Sequence, residues 1–197
     1  MSVPFVGLTG GIGAGKSTAL EALKRLGASV LSTDSVVHEL YDDPGVREAV
    51  TDRFGPDVAP GGQIDRGAVA RAAFVASEGR QWLEELLWPR VGARMAQWRQ
   101  DADRADPAPR AAVVEVPLLF ESGMEGAFDA TIAVVADERV RSERAAARGH
   151  EALDERGARQ LSQQEKAERA TYVVDNDGTV DQLEAKLSAV LEMLESR

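Results

Sequence analysis

The chain of 197 residues has no cysteine, which excludes disulfides, thiolate metal sites and cysteine nucleophiles. Its two histidines, His38 and His150, are too few for a polyhistidine metal centre. No apolar run is long enough to cross a bilayer. No secretory leader is visible either, because Met1–Leu8 is short and leads directly into a glycine-rich segment. A soluble cytoplasmic protein without membrane attachment is therefore expected. Positive charge is also scarce: 23 basic residues face 33 acidic ones, for a formal net charge of −10. That balance argues against electrostatic capture of DNA or RNA. It leaves room for a phosphorylated small molecule, since fixed N–H donors, a few cations and a metal ion set the local potential. An apolar content of 44% is ample for a core, and the length suits one compact α/β domain with a helical insertion.

What is present is a phosphate-binding pattern. Gly10-Gly11-Ile12-Gly13-Ala14-Gly15-Lys16-Ser17-Thr18 fits glycine, four residues, then Gly-Lys-Ser/Thr. Val3–Leu8 before it reads as a strand and Lys16–Leu26 after it as a helix, the context a working loop requires. Glycines turn tightly and let backbone N–H groups face phosphate oxygens, and the helix start adds unpaired donors and a positive dipole end. Gly11, Gly13, Ala14, Gly15, Lys16, Ser17 and Thr18 are thus the candidate triphosphate-binding residues. In such a loop the lysine reaches the β- and γ-phosphates and the serine hydroxyl holds magnesium.

Further apolar runs at Ala28–Leu31, Ala111–Val116, Asp129–Val135 and Tyr172–Val174 alternate with helical stretches. The helices fall at Val36–Tyr41, Asp137–Arg148, about Leu153–Ala170 and Val180–Leu194. This alternation predicts a phosphate-loop NTPase-like three-layer α/β/α fold around a five-stranded parallel sheet. Asp42-Asp43-Pro44-Gly45 reads as a helix stop. Residues 45–108 differ in character, with helical patches between Gly/Pro turns. They read as a mostly helical insertion into a core of 1–44 and 109–197. Within the insertion, Gly67–Phe74 and Trp82–Trp98 read as helices, with Pro89 kinking or dividing the second. Its tryptophans suit a core role better than a ligand role. Asp101–Arg110 reads as a loop.

Functional groups in a parallel sheet gather beyond the strands' carboxyl ends. Asp34 follows the second strand, where it can orient and deprotonate a substrate hydroxyl or cap the next helix. Glu115 closes the third strand and suits a water-mediated magnesium contact or a structural role about equally. Arg141, Arg144 and Arg148 share a helix face by their spacing. That face is either salt-bridged to solvent or, beside a phosphate loop, a lid neutralising the moving phosphate. Asn176, the chain's only asparagine, lies in a turn after the last strand, within reach of the adenine or neighbouring loops.

Together these segments resemble the dephospho-coenzyme A kinase family over nearly the whole chain. The resemblance is carried by Thr9–Thr18, Thr33-Asp34, Ile64-Asp65-Arg66 with Phe74, and Glu115-Val116-Pro117-Leu118-Leu119-Phe120-Glu121. Arg144 with Arg148, the spaced Arg156, Gln160, Lys166 and Ala170, and Asp175-Asn176-Asp177-Gly178 complete it. It implies transfer of the ATP γ-phosphate to the 3′-hydroxyl of dephospho-coenzyme A. Lys16, Asp34 and Arg144 would be catalytic, and Arg148 and Asn176 would join the ATP site. Asp34, Arg66, Phe74 and Trp88 would bind the acceptor, and Mg2+ would be held by Ser17 with Glu115 through water. The insertion would receive the acceptor, and a lid would span about 137–160. The chain departs from the family's usual pattern in three places: Ser32 where an acid is frequent, Trp88-Pro89 for a His-Pro pair, and Thr171-Tyr172 where an aspartate is common. Another small-molecule or nucleotide kinase is the nearest competing reading, followed by a nucleotide-operated switch. A guanine-specific switch is disfavoured because no Asn-Lys-x-Asp motif exists. Assembly state is left open.

Overall fold

The computed structural model describes residues 2–75, 77–147 and 160–196. Five segments form one parallel sheet: β1 (Phe5–Gly10), β2 (Ser29–Ser32), β3 (Ala112–Glu115), β4 (Ala130–Val135) and β5 (Tyr172–Asp175). Their order is β2-β3-β1-β4-β5, so β1 lies at the centre. It is buried along its whole length, as a parallel strand covered on both faces must be. β1 runs two residues beyond the expected Leu8 because Thr9 and Gly10 still pair with Ala133 and Val134 of β4. The sheet carries helices on both faces, a three-layer α/β/α arrangement.

On one face lie α1 (Lys16–Arg25) and α8 (Val180–Glu195). Ala19, Ala22 and Leu23 of α1 and Leu183, Leu187, Val190, Leu191 and Leu194 of α8 share a core with Val6, Leu8, Val113, Ile132 and Val134. Thr179 starts α8 through a reciprocal capping box with Gln182. On the opposite face Phe5 stacks on Phe128 with ring centroids 4.7 Å apart, and Arg99 lies 4.5 Å over the Phe5 ring. Among the described residues, the other helices after β4 are α6 (Glu138–Ala147) and α7 (Gln163–Arg169). Arg148, His150 and Arg156 lie outside the described residues.

By its packing the chain divides into two units, Met1–Ser32 with Arg99–Arg197, and Thr33–Trp98. The second unit holds α2 (Thr33–Leu40), α3 (Pro44–Phe54), α4 (Arg66–Val75) and most of α5 (Ser77–Arg104). The Asp42–Gly45 segment does more than stop a helix. Asp43 caps α3, its carboxylate accepting from the N–H groups of Gly45 at 2.9 Å and Val46 at 3.1 Å, with Pro44 opening the helix. Val46, Val50, Val58 and Val69 are buried here, and Phe54 meets Trp82 edge-on at 5.6 Å.

Pro89 neither divides nor ends α5, which is continuous from Ser77 to Arg104. Proline removes the hydrogen bond to the carbonyl four residues back. That residue, Glu85, is exposed, as is Pro89, so water can solvate the freed carbonyl. Arg90 Nη1 donates to Leu86 O at 2.6 Å and steadies the same turn. The expected loop at 101–110 is also partly helical: α5 reaches Arg104, and Asp103 Oδ1 accepts from Val3 N at 3.0 Å. Among the described residues no helix is long and apolar enough to cross a membrane.

Leu187 is fully buried between α8 and the sheet. Leu187→Ala should cost about 2–5 kcal/mol of stability. Urea titration should show a lower midpoint at an unchanged slope.

Candidate functional site

The loop after β1 owes its shape to glycines at two demanding points. Gly13 has φ 77° and Gly15 has φ 92°, both in the left-handed region, and Gly15 is the residue on which α1 starts. It brings no capping side chain, and the first turn of α1 contains no acidic residue. The backbone donors and dipole of this turn are thus not met by an acid of the turn itself, which suits an anionic ligand. Lys16 Nζ bends back over the loop, donating to Gly10 O at 3.0 Å and Gly11 O at 3.2 Å. Ser17 follows it, exposed, and Thr18 is half-buried.

Two side chains distant in sequence grip the loop from outside, and a third braces one of them. Asn176 Nδ2 donates to Ala14 O at 2.9 Å. Arg144 Nη1 donates to Asn176 O at 2.9 Å, so this arginine braces the asparagine. Arg141 Nε donates to Ile12 O at 3.0 Å, while its Nη1 pairs with Glu138 at 2.8 Å. The approach is close enough to demand glycine. A Cβ on Gly15 would lie 2.1 Å from Asn176 Nδ2, and one on Gly13 would lie 2.5 Å from Arg141 O. Helix α6 thus shows two kinds of arginine. Arg139 pairs with Glu143 in solvent, whereas Arg141 and Arg144 turn inward to carbonyl oxygens.

Glu115 is buried at the carboxyl end of β3, in register with Leu8 of β1 and Ser32 of β2. Just beyond it, the turn at 117–121 faces a fully buried cation. Lys166 of α7 donates to Pro117 O at 2.7 Å and pairs with Glu121 at 2.9 Å. Burial pulls the Lys166 pKa below the usual lysine value, and Glu121 opposes that pull. Among the described residues no three His, Asp or Glu side chains cluster as a metal site.

The structure therefore brings together Gly11, Gly13, Ala14, Gly15, Lys16, Arg144 and Asn176, and adds Arg141, which the sequence placed only on a helix face. Asn176 sits 162 positions from its loop partner, so its local turn signal held no trace of the contact. Asp34, Arg66 and Trp88 belong to the second unit. Asp34 is exposed in the first turn of α2, which starts at Thr33. It lies within the helix rather than capping it, with its charge at the favourable dipole end. Arg66 opens α4, and its charge counters the upward shift that burial imposes on the Tyr41 hydroxyl. Phe74 falls in α4, its side chain outside the described set.

Trp88 corrects the expectation of a core tryptophan, being 58% exposed. The inward line of α5 is Leu87, Val91 and Met95, all buried at a spacing of four. Trp88 stands one residue, about 100°, around the helix from that line.

A model of the dephospho-CoA kinase family matches residues 4–182. The dephospho-CoA kinase of Deinococcus radiodurans is 40% identical over 193 residues, covering 96% of this chain and 92% of its own. That of Moorella thermoacetica is 40% identical over 197 residues, covering 97% and 92%. A crystal structure from Thermus thermophilus matches at TM-score 0.81 and 34% identity, over 98% of this chain and 99% of that one. The dephospho-CoA kinase from Campylobacter jejuni shares the fold at TM-score 0.70 and 24% identity, over 97% and 96%.

Gly15→Ala would force a Cβ into the Asn176 amide at a backbone angle alanine avoids. Calorimetric titration should show triphosphate binding weakened at least tenfold. Gly92→Ala, where a Cβ meets open space in α5, should bind like the parent protein.

Proposed function

From the premise that this chain belongs to the dephospho-CoA kinase family, and so transfers the ATP γ-phosphate to the 3′-hydroxyl of dephospho-CoA, we propose how its own residues divide that work. The observation that carries the proposal is the glycine loop at the start of α1, its carbonyls held by Asn176, Arg141 and Lys16.

The N–H groups of the Gly11–Gly15 loop and of the first turn of α1, with Ser17 and Thr18, cradle the β- and γ-phosphates. Lys16 exchanges its two carbonyl partners for phosphate oxygens, following the charge as it moves from the γ-group to the β–γ bridge. Arg144, already fixed beside Gly15 through Asn176, adds a cation at the same edge. Arg148 keeps the ATP-side role that the resemblance gives it. Asp34 aligns the ribose 3′-hydroxyl and takes its proton as the new O–P bond forms. The β–γ bridging bond breaks in the same displacement, and ADP leaves. Arg66, Phe74 and Trp88 form the acceptor side, with the exposed indole of Trp88 free to stack on an organic group.

Magnesium fits this donor set. It keeps several waters and takes most other ligands from phosphates, so the Ser17 hydroxyl, with Glu115 through water, suffices on the protein side. When bound, it neutralises charge on the β- and γ-phosphates. Dependence on ATP agrees with work in the cytoplasm.

Three measurements test these roles. With Mg-ATP and dephospho-CoA, mass spectrometry and phosphorus NMR should identify CoA, phosphorylated at the 3′-position. Faster turnover of a nucleoside monophosphate or a shikimate-like alcohol would reassign the acceptor. Lys16→Ala should lower kcat/KM for ATP by about 10²–10³-fold. Asp34→Asn should lower kcat by about 10²–10⁴-fold with little change in KM for dephospho-CoA. Normal activity of Asp34→Asn across pH would return that residue to a helix-dipole role.

A further inference from the structure

Arginine dominates the cations of this chain, which has only four lysines, and one of them is wholly buried. Lys166 Nζ lies 2.7 Å from Pro117 O, 2.9 Å from Glu121 Oε1 and 3.4 Å from Thr9 Oγ1. Three ammonium protons thus meet three acceptors in a space that suits a compact ammonium better than a planar guanidinium. Thr9 Oγ1 in turn lies 3.3 Å from Pro117 O, and Glu121 Oε1 also accepts from Leu161 N at 2.8 Å. Glu121 Oε2 is buried without a hydrogen-bond partner among the described residues.

A buried ion pair with one oxygen unsatisfied is an inefficient way to stabilise a fold, since apolar side chains of similar volume often do as well or better. The position of the pair suggests a different use. Thr9 is the last residue before Gly10 and Gly11, whose carbonyls hold Lys16. Helix α7, which carries Lys166, is pinned to the end of β4 by Gln163, whose amide both donates to Ala136 O and accepts from Ala136 N at 2.8 Å. The ammonium therefore links the end of β1 to the 117–121 turn from a helix already anchored at β4.

We propose that Lys166 is a positioning residue for phosphoryl transfer: its buried ammonium, fixed by Glu121, sets Thr9 at the root of the phosphate loop and thereby places Lys16. The inference rests on the function proposed above and concerns only its donor side.

The test separates stability from positioning in the full-length protein. Lys166→Met should lower both the melting temperature and kcat. In Lys166→Met with Glu121→Met the buried charge is gone from both sides. Melting should then return to within a few degrees of the parent, while kcat stays at least tenfold down and KM for dephospho-CoA stays within twofold. Recovery of kcat along with melting would reduce the pair to a structural role and overturn the proposal. Should neither variant fold, Thr9→Val and Thr9→Ser decide. The valine keeps the branched shape without the hydroxyl and should lower kcat at least threefold with unchanged melting, and the serine should retain activity. Parental kcat in Thr9→Val would overturn the proposal. If the parent enzyme prefers another acceptor, the same comparisons run with that acceptor, so a wrong substrate and a wrong role for Lys166 give different results.

Discussion

A loop that aims its N–H groups at an anion must dispose of its carbonyl oxygens elsewhere, and much of this site follows from that requirement. Gly10 O and Gly11 O take Lys16, Ile12 O takes Arg141, Ala14 O takes Asn176, and Gly15 O takes Ala19 N as the first bond of α1. Each tie fixes one peptide plane and hence the direction of the donor on its other side. Apart from Lys16, which the proposed role sends to the phosphate, the cradle is preorganised by groups that need not touch it. Preorganisation of this kind spares the loop from reordering when charge moves during transfer.

The same ties explain how a chain of net charge −10 can hold a polyphosphate. Surface acids more than about 8–10 Å away are largely screened at physiological salt. Within that distance of the loop stand Lys16, Arg141 and the positive end of α1, with Arg144 bonded to the asparagine that holds it. Glu138 partly offsets Arg141, but it is exposed and its effect is weak. Local geometry outweighs the overall balance.

Legibility in the sequence followed the range of the interactions. The glycine pattern, its flanking strand and helix, and the alternation that builds a parallel sheet are local or periodic, and all were readable. Errors arose where the packing of the folded chain, or its solvent, decided. β1 outruns its apolar run because β4 continues to pair with it. Pro89 stays inside α5 because its freed carbonyl faces water, and Trp88 is exposed because Leu87 takes the inward line. The tie from Asn176 to Ala14 and the burial of Lys166 had no local signature at all. Periodicity placed Arg141 and Arg144 on one face of α6, and only the folded chain shows that carbonyls receive both.

The serine at position 32 becomes intelligible from the register of the sheet. Ser32 pairs with Glu115, which pairs in turn with Leu8, so side chains on this rung point to the same side. Glu115 is already 8% exposed and nearly enclosed. A second carboxylate at position 32 would face it across adjacent strands, where like charges repel in a medium that screens them poorly. Serine avoids that conflict and leaves Glu115 as the single carboxylate of the rung.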